Sequence, residues 1–283
     1  MRPLGVNTWV WTSPLTDRQL PELLGRVAEM GFDAVELPLE SAGDLTVPAV
    51  RASLDATGLQ PHVVGAMAPG RDLVVAAPGA VATTQDYLRR CVDLAAGIGA
   101  PAVCGPFYAA TGRVWRMTST EREATYQEWR EHLAPVVEHA AQAGVRIGIE
   151  PLNRYETSLV NTVEQALTGL GGLLGPACGL ALDTYHLGIE ERSSADAVLR
   201  AGEHLVHVQV CGNDRGAPGD DQTDWPGILA ALDEVGYTGA LCIESFTAEN
   251  AAIATAASIW RPLAPTQDDL AADGLAFLRS LTT

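Results

Sequence analysis

The stretch VRIGIEPLNRYETSLVNT, residues 145–162, decides the fold. Its first part, Val145–Ile149, is a short apolar run that follows a glycine. Such a run reads as a strand buried on both faces, as strands are in a parallel sheet covered by helices. It ends abruptly in a carboxylate, Glu150, and Asn153, Arg154, Glu156 and Asn161 follow at once. Polar residues concentrated at the C-terminal end of a buried strand suit the rim of a barrel, where sites are built.

Outward from this strand the same unit repeats. Strand-like runs occupy Leu4–Val10, Ala34–Leu37, Gln60–Ala66, Ala102–Cys104, Gly179–Asp183, Leu205–Val210 and Ala240–Glu244. Between them lie stretches with apolar residues at helical spacing. The clearest are Arg18–Met30, Thr84–Gly97, Thr120–Ala143, Thr162–Leu174, Ala195–Ala201 and Trp225–Val235. Glycines in EMGF, ATGLQ, QAGVR and EVGYTG stand where helices should stop. Eight strands alternating with helices in 283 residues predict a (β/α)8 TIM barrel, taken as a single domain over residues 1–283. The tail, about 251–283, reads as helices that close it. An open doubly wound sheet would want a Gly-rich phosphate loop after the first strand, and VNTWVWTSP has none.

Composition narrows the function. The formal net charge of −17 argues against nucleic acid and anionic membrane surfaces as partners. The N-terminus lacks a signal-type apolar segment, and no run is long enough to span a bilayer. The five cysteines form no CxxC and most sit in or beside apolar runs, which predicts reduced thiols and a cytoplasmic location.

The strand ends carry the chemistry. Strands 5 to 8 end in Glu150, Asp183, Gln209 and Glu244, and strand 2 carries Glu36. Carboxylates converging on one spot repel, and a divalent cation compensates buried negative charge. An all-oxygen donor set of three carboxylates and an amide favours a hard ion such as Mn²⁺ or Mg²⁺. The rival reading, in which each acid merely caps the next helix, weakens with four polar ends in succession.

Several motifs resemble one family. EPLNRYET, LDTYHLGIEE, HVQVCGNDRGAPG and CIESF, with NTWVW, VCGPFY and IWRPL, are similar to the sugar isomerase/epimerase group with the xylose-isomerase-like barrel, in its ketose 3-epimerase branch. The resemblance implies metal ligands at Glu150, Asp183, Gln209 and Glu244, with Mn²⁺ the first expectation and Mg²⁺ or Co²⁺ alternatives. It implies Glu150 and Glu244 as the acid/base pair, and Glu156, His186 and Arg215 as substrate contacts. It also implies a sugar substrate and a homo-dimer or homo-tetramer. The family usually has a His where this chain has Gln209, and Gln there resembles the hydroxypyruvate-isomerase-like branch.

The implied reaction is epimerisation of free ketoses at C3 (D-fructose/D-psicose or D-tagatose) through a cis-enediolate. A hydroxypyruvate-type or aldose–ketose isomerase, or a metal-dependent lyase subunit acting on 3-oxo-C-glycosides, is the alternative. The loops after strands 7 and 8 hold one Arg and several acids, which favours a free sugar over a phosphate ester. Trp9, Trp11, Phe107, Tyr108 and Trp115 are candidates to wall the pocket, with core packing the competing role. His186, in what reads as a rim loop after strand 6, has a helix-capping role as its alternative, Arg215 a surface salt bridge, and Glu156 a pairing with Arg154. Asn153 and Asn161 are expected to hold their loop, and His62, His132, His139 and His204 to be structural.

Overall fold

The computed structural model describes residues 2–281. Eight strands form a closed barrel in sequence order: β1 (Leu4–Asn7), β2 (Ala34–Leu39), β3 (Gln60–Gly65), β4 (Ala102–Gly105), β5 (Arg146–Ile149), β6 (Cys178–Asp183), β7 (Leu205–Val210) and β8 (Leu241–Ile243). Every neighbouring pair is parallel, and β8 closes on β1 through Leu4↔Leu241, Gly5↔Cys242 and Val6↔Ile243. Closure there needs a residue without a side chain. A Cβ on Gly5 would meet Cys242 Sγ at 2.6 Å and Ala34 Cβ at 3.1 Å.

The helices are α1 (Leu20–Met30), α2 (Val47–Thr57), α3 (Ala80–Ile98), α4 (Ser119–Ala143), α5 (Val163–Leu170), α6 (Thr184–Glu190), α7 (Ser194–Ala201), α8 (Trp225–Glu234), α9 (Ala251–Ala256) and α10 (Gln267–Ser280). The four glycine stops read from the sequence, at 31, 58, 144 and 236, all adopt positive φ. That backbone turn ends a helix at little steric cost only for glycine. The tail supplies α9 and α10, and α10 packs on β1 and β8; residues 282 and 283 lie outside the described part. No helix of the described residues is long and apolar enough to cross a membrane.

Two expectations need correction. The segment after β6 is helical (α6) rather than a loop, because Asp183 accepts from Tyr185 N and caps it. The predicted helix Thr162–Leu174 stops at Leu170, and Gly171–Leu173 forms a 3-10 turn.

The main apolar core lies between the strands and the helices. Two small buried groups, Ala34–Ala240–Cys242 and Ala102–Cys104–Ala181, are separate from it. Polar contacts cross the barrel lumen. Glu36 of β2 reaches His207 and Gln209 of β7, which are not on a neighbouring strand. All three side chains are at most 1% exposed.

Candidate active site

The C-terminal ends of β5 to β8 bring Glu150, Asp183, Gln209 and Glu244 together, all buried. Glu150 directly follows β5, whose backbone is pinned when Glu150 N donates to Gly105 O. Tyr108 OH donates to the Glu150 carbonyl at 3.1 Å. Burial raises the Glu150 carboxyl well above its ordinary pKa, and the Asp183 carboxylate pushes the same way. Glu244 is raised well above its range too, by burial first, with repulsion from Glu150 and Asp183 adding to it. Asp183 is raised by burial, which outweighs the opposing pull of Arg215. Desolvation and like charge both disfavour the ionised form.

Arg215 is the cation at the centre. The sequence alone allowed a surface role, but the residue is 4% exposed. Its Nη1 donates to Asp183 Oδ2 and, at 3.1 Å, to Glu244 Oε2. The guanidinium carbon lies 4.2 Å from the Tyr185 ring centre and 4.8 Å from that of Phe246. Its backbone has φ 69, in the left-handed region. Burial opposes its charge, but Asp183 and Glu244 overcome this and hold the guanidinium protonated.

His186 sits one turn into α6. Asn153 N donates to its Nδ1 at 3.0 Å, which leaves the other ring nitrogen, Nε2, toward the acids. That nitrogen lies 3.4 Å from Glu150 Oε1 and 3.7 Å from Asp183 Oδ2, with Arg215 Nη2 at 3.1 Å. Burial, then the Arg215 charge, lowers the His186 pKa well below the usual value.

Glu156 does not pair with Arg154. It accepts from Asn153 Nδ2 at 2.7 Å, while Arg154 turns outward to Glu190 at 2.9 Å. Burial raises the Glu156 pKa. Asn161 holds the same loop by donating to Leu152 O and Thr157 O.

Gln209 bridges two layers. Its Nε2 donates at 2.9 Å to both Glu36 Oε2 and Glu244 Oε1, and its Oε1 is buried without a hydrogen-bond partner among the described residues. Asn7 Nδ2 reaches the same two acids, at 2.6 Å and 3.3 Å. Burial opposes ionisation of Glu36, but the hydrogen bonds from His207 and Gln209 prevail and lower its pKa. Glu36 therefore stays an acceptor beneath the site.

One ligand atom each from Glu150, Asp183 and His186 lies within 4.8 Å of the others, a spacing a metal ion can bridge. Glu244 is linked to this trio through Arg215. The donor chemistry fits a hard divalent ion: three buried carboxylates face one guanidinium, beside an unpartnered amide oxygen.

Reasoning from sequence missed Asn7, Tyr185 and Phe246. Tyr185 and Phe246 each stand two residues after a strand-end acid, a signal that could have found them. Phe107 and Tyr108 belong to the main core, while Trp9 is bound to Glu40 and Trp11 to Asp268.

The family profile described as "Xylose isomerase-like TIM barrel" matches residues 24–281. An L-ribulose 3-epimerase of Methylomonas sp. (strain DH-1) is 30% identical over 277 residues, spanning 97% of this chain and 96% of the relative. A ketose 3-epimerase of Arthrobacter globiformis is 30% identical over 282 residues, spanning 99% and 96%. The crystal structure of D-allulose 3-epimerase from Methylomonas sp. in complex with D-allulose superposes with TM-score 0.90 at 28% identity, covering 99% of this chain and 98% of that one.

Proposed function

We propose that this chain, which belongs to the xylose isomerase-like TIM barrel family and is an enzyme of the isomerase class, epimerises free ketoses at C3. The relatives named for ketose 3-epimerisation support the reaction class. D-Fructose/D-psicose and D-tagatose are the substrates we would offer first.

The observation that carries this reading is the pair Glu150 and Glu244. They come from β5 and β8, with two strands between them, and converge on the Asp183–Arg215 pair. Inverting a carbon needs a base on one face and an acid on the other. One carboxylate takes the C3 proton and the other returns a proton to the opposite face of the enediolate. Their raised pKa values move both groups toward the working pH, where proton transfer is most effective. Arg215, His186 and Glu156 are placed to hold the sugar's oxygens.

Glu150, Asp183 and Glu244 would hold a divalent ion, with the Gln209 Oε1 as a further donor. Such an ion, Mn²⁺ first and Mg²⁺ or Co²⁺ next, would supply Lewis acidity at the sugar carbonyl and make the neighbouring C–H more acidic. A phosphate ester finds little support in the rim loops. The loop after β7 carries one Arg among several acids, and Arg261 is paired with Asp214. A homo-dimer or homo-tetramer is the assembly we would test by light scattering.

The test is NMR of the Mn²⁺-loaded protein with D-fructose, D-psicose and D-tagatose in D₂O. Deuterium at C3 with appearance of the epimer supports the reading. Deuterium at C1 points instead to an aldose–ketose type isomerase, and no exchange in any of these sugars overturns it.

A further inference from the structure

Beneath the carboxylate site the lumen holds a second group of ligating side chains: His62 on β3, His207 on β7 and Cys242 on β8. One ligand atom from each lies within 4.8 Å of the other two. The imidazoles of His62 and His207 are 4.8 Å apart between ring centres. These strands are not all neighbours, so the three side chains meet only inside the barrel.

The hydrogen bonding prepares His207 as a ligand. Its Nε2 is 2.5 Å from Glu36 Oε1. Glu36 also accepts from Asn7 and Gln209, so it acts as a carboxylate and takes the Nε2 proton in a hydrogen bond. The other nitrogen, Nδ1, then carries a bare lone pair. It is buried and has no hydrogen-bond partner among the described residues, and His207 is 1% exposed. A carboxylate that fixes a histidine's tautomer and leaves the opposite nitrogen free is the usual arrangement behind a metal-bound histidine.

There is also a way in. A cavity of about 350 Å³ opens at the N-terminal ends of the strands, away from the sugar site. It is lined by His62 together with Ala102, Arg146, Val206 and Tyr237. His62 thus borders both this cavity and the His207 ring. Burial depresses its pKa to about 3, so it is neutral and free to coordinate.

We infer that His62, His207 and Cys242 form a second metal site, which takes a borderline ion such as Zn²⁺ from the N-terminal mouth of the barrel. Two imidazoles and a sulfur suit Zn²⁺, whereas the rim site offers mainly oxygen. Binding converts the Cys242 thiol to a thiolate and releases its proton to solvent. The ion would tie β3, β7 and β8 together across the lumen.

Co²⁺ is the probe, because a thiolate ligand gives it a charge-transfer absorption that oxygen ligands do not. We expect this band on titration of the whole protein with Co²⁺. It should be lost in Cys242→Ser and in His62→Gln, and kept in Glu150→Gln, Asp183→Asn and Cys104→Ser. Added Zn²⁺ should abolish the band in the wild type. Absence of the band in the wild type overturns the site, as does its survival in Cys242→Ser or its loss in Cys104→Ser alone. His62→Gln keeps the test decisive if Cys242→Ser fails to fold. None of these readouts depends on epimerase activity, so failure of this site and failure of the proposed reaction are separable.

Discussion

Arg215 Nη1 joins Asp183 to Glu244, donating to Oδ2 of the first and, at 3.1 Å, to Oε2 of the second. A single buried cation thereby links two of the three carboxylates. Removing one partner of a buried ion pair leaves an uncompensated charge, at a cost of about 3–5 kcal/mol. Arg215→Ala is therefore expected to lose stability on that scale in urea unfolding. Arg215→Lys should lose less, because a charge remains. Equal loss in both variants would show that the stacking between Tyr185 and Phe246 matters more than the charge.

Glu150→Gln and Glu244→Gln replace buried, high-pKa carboxyls by neutral groups of the same shape. Glu150→Gln should fold with near wild-type stability, whereas Glu244→Gln, which removes a partner of buried Arg215, should lose stability but stay folded. Each should lose about 10²–10⁴-fold in kcat, the range for one acid/base group. Circular dichroism checks the fold, and C3 deuterium incorporation followed from each epimer checks the rate. A variant that still exchanges from one epimer only would identify the face its missing carboxyl serves.

The raised pKa values of Glu150, Asp183 and Glu244 have a consequence for pH. Above the ordinary carboxylate range the folded state binds more protons than the unfolded one. By linkage, stability then falls as pH rises from that range through the raised folded values. Added Mn²⁺ would compensate the charge these groups acquire, so its stabilising effect should grow over the same interval. Melting temperature against pH, with and without Mn²⁺, tests this. Proton release on Mn²⁺ binding, measured by calorimetry in two buffers of different ionisation enthalpy, is the companion reading.

Gln209 donates to Glu36 and Glu244 at 2.9 Å each. Gln209→Leu removes one buried donor from each acid and should cost about 1–3 kcal/mol. Its Mn²⁺ affinity should fall as well, if the free Oε1 is a ligand. Unchanged affinity by titration calorimetry would remove Gln209 from the ligand set and leave it as the support for Glu244.

Gly5 tests the barrel itself. Gly5→Val would drive side-chain atoms into Cys242 Sγ and Ala34, and overpacking of this kind costs about 1–3 kcal/mol. Thermal unfolding of Gly5→Ala and Gly5→Val should show a graded loss.

Much of the barrel was legible in the chain. Buried parallel strands read as apolar runs, helices as apolar stripes, and glycine marks the stops. Glu150, Asp183, Gln209 and Glu244 could be named from their places at strand ends, because the barrel fixes what a strand end means. The rim was harder. Arg154 and Glu156 are near neighbours in sequence, yet they part to Glu190 and Asn153. The length that became α6 read as a loop, because its two turns are too short for a helical stripe to show and its cap is itself a site acid.

The sequence by itself determined the order of strands and helices and the line of three acids and an amide along four successive strand ends, since both follow from local pattern. Only the tertiary structure decided that Arg215 turns inward between Asp183 and Glu244, and that Glu36, His62, His207 and Cys242 meet in the lumen. Those contacts join non-neighbouring strands across a closed barrel, and the distance between residues across a lumen is set by closure, which no local pattern records.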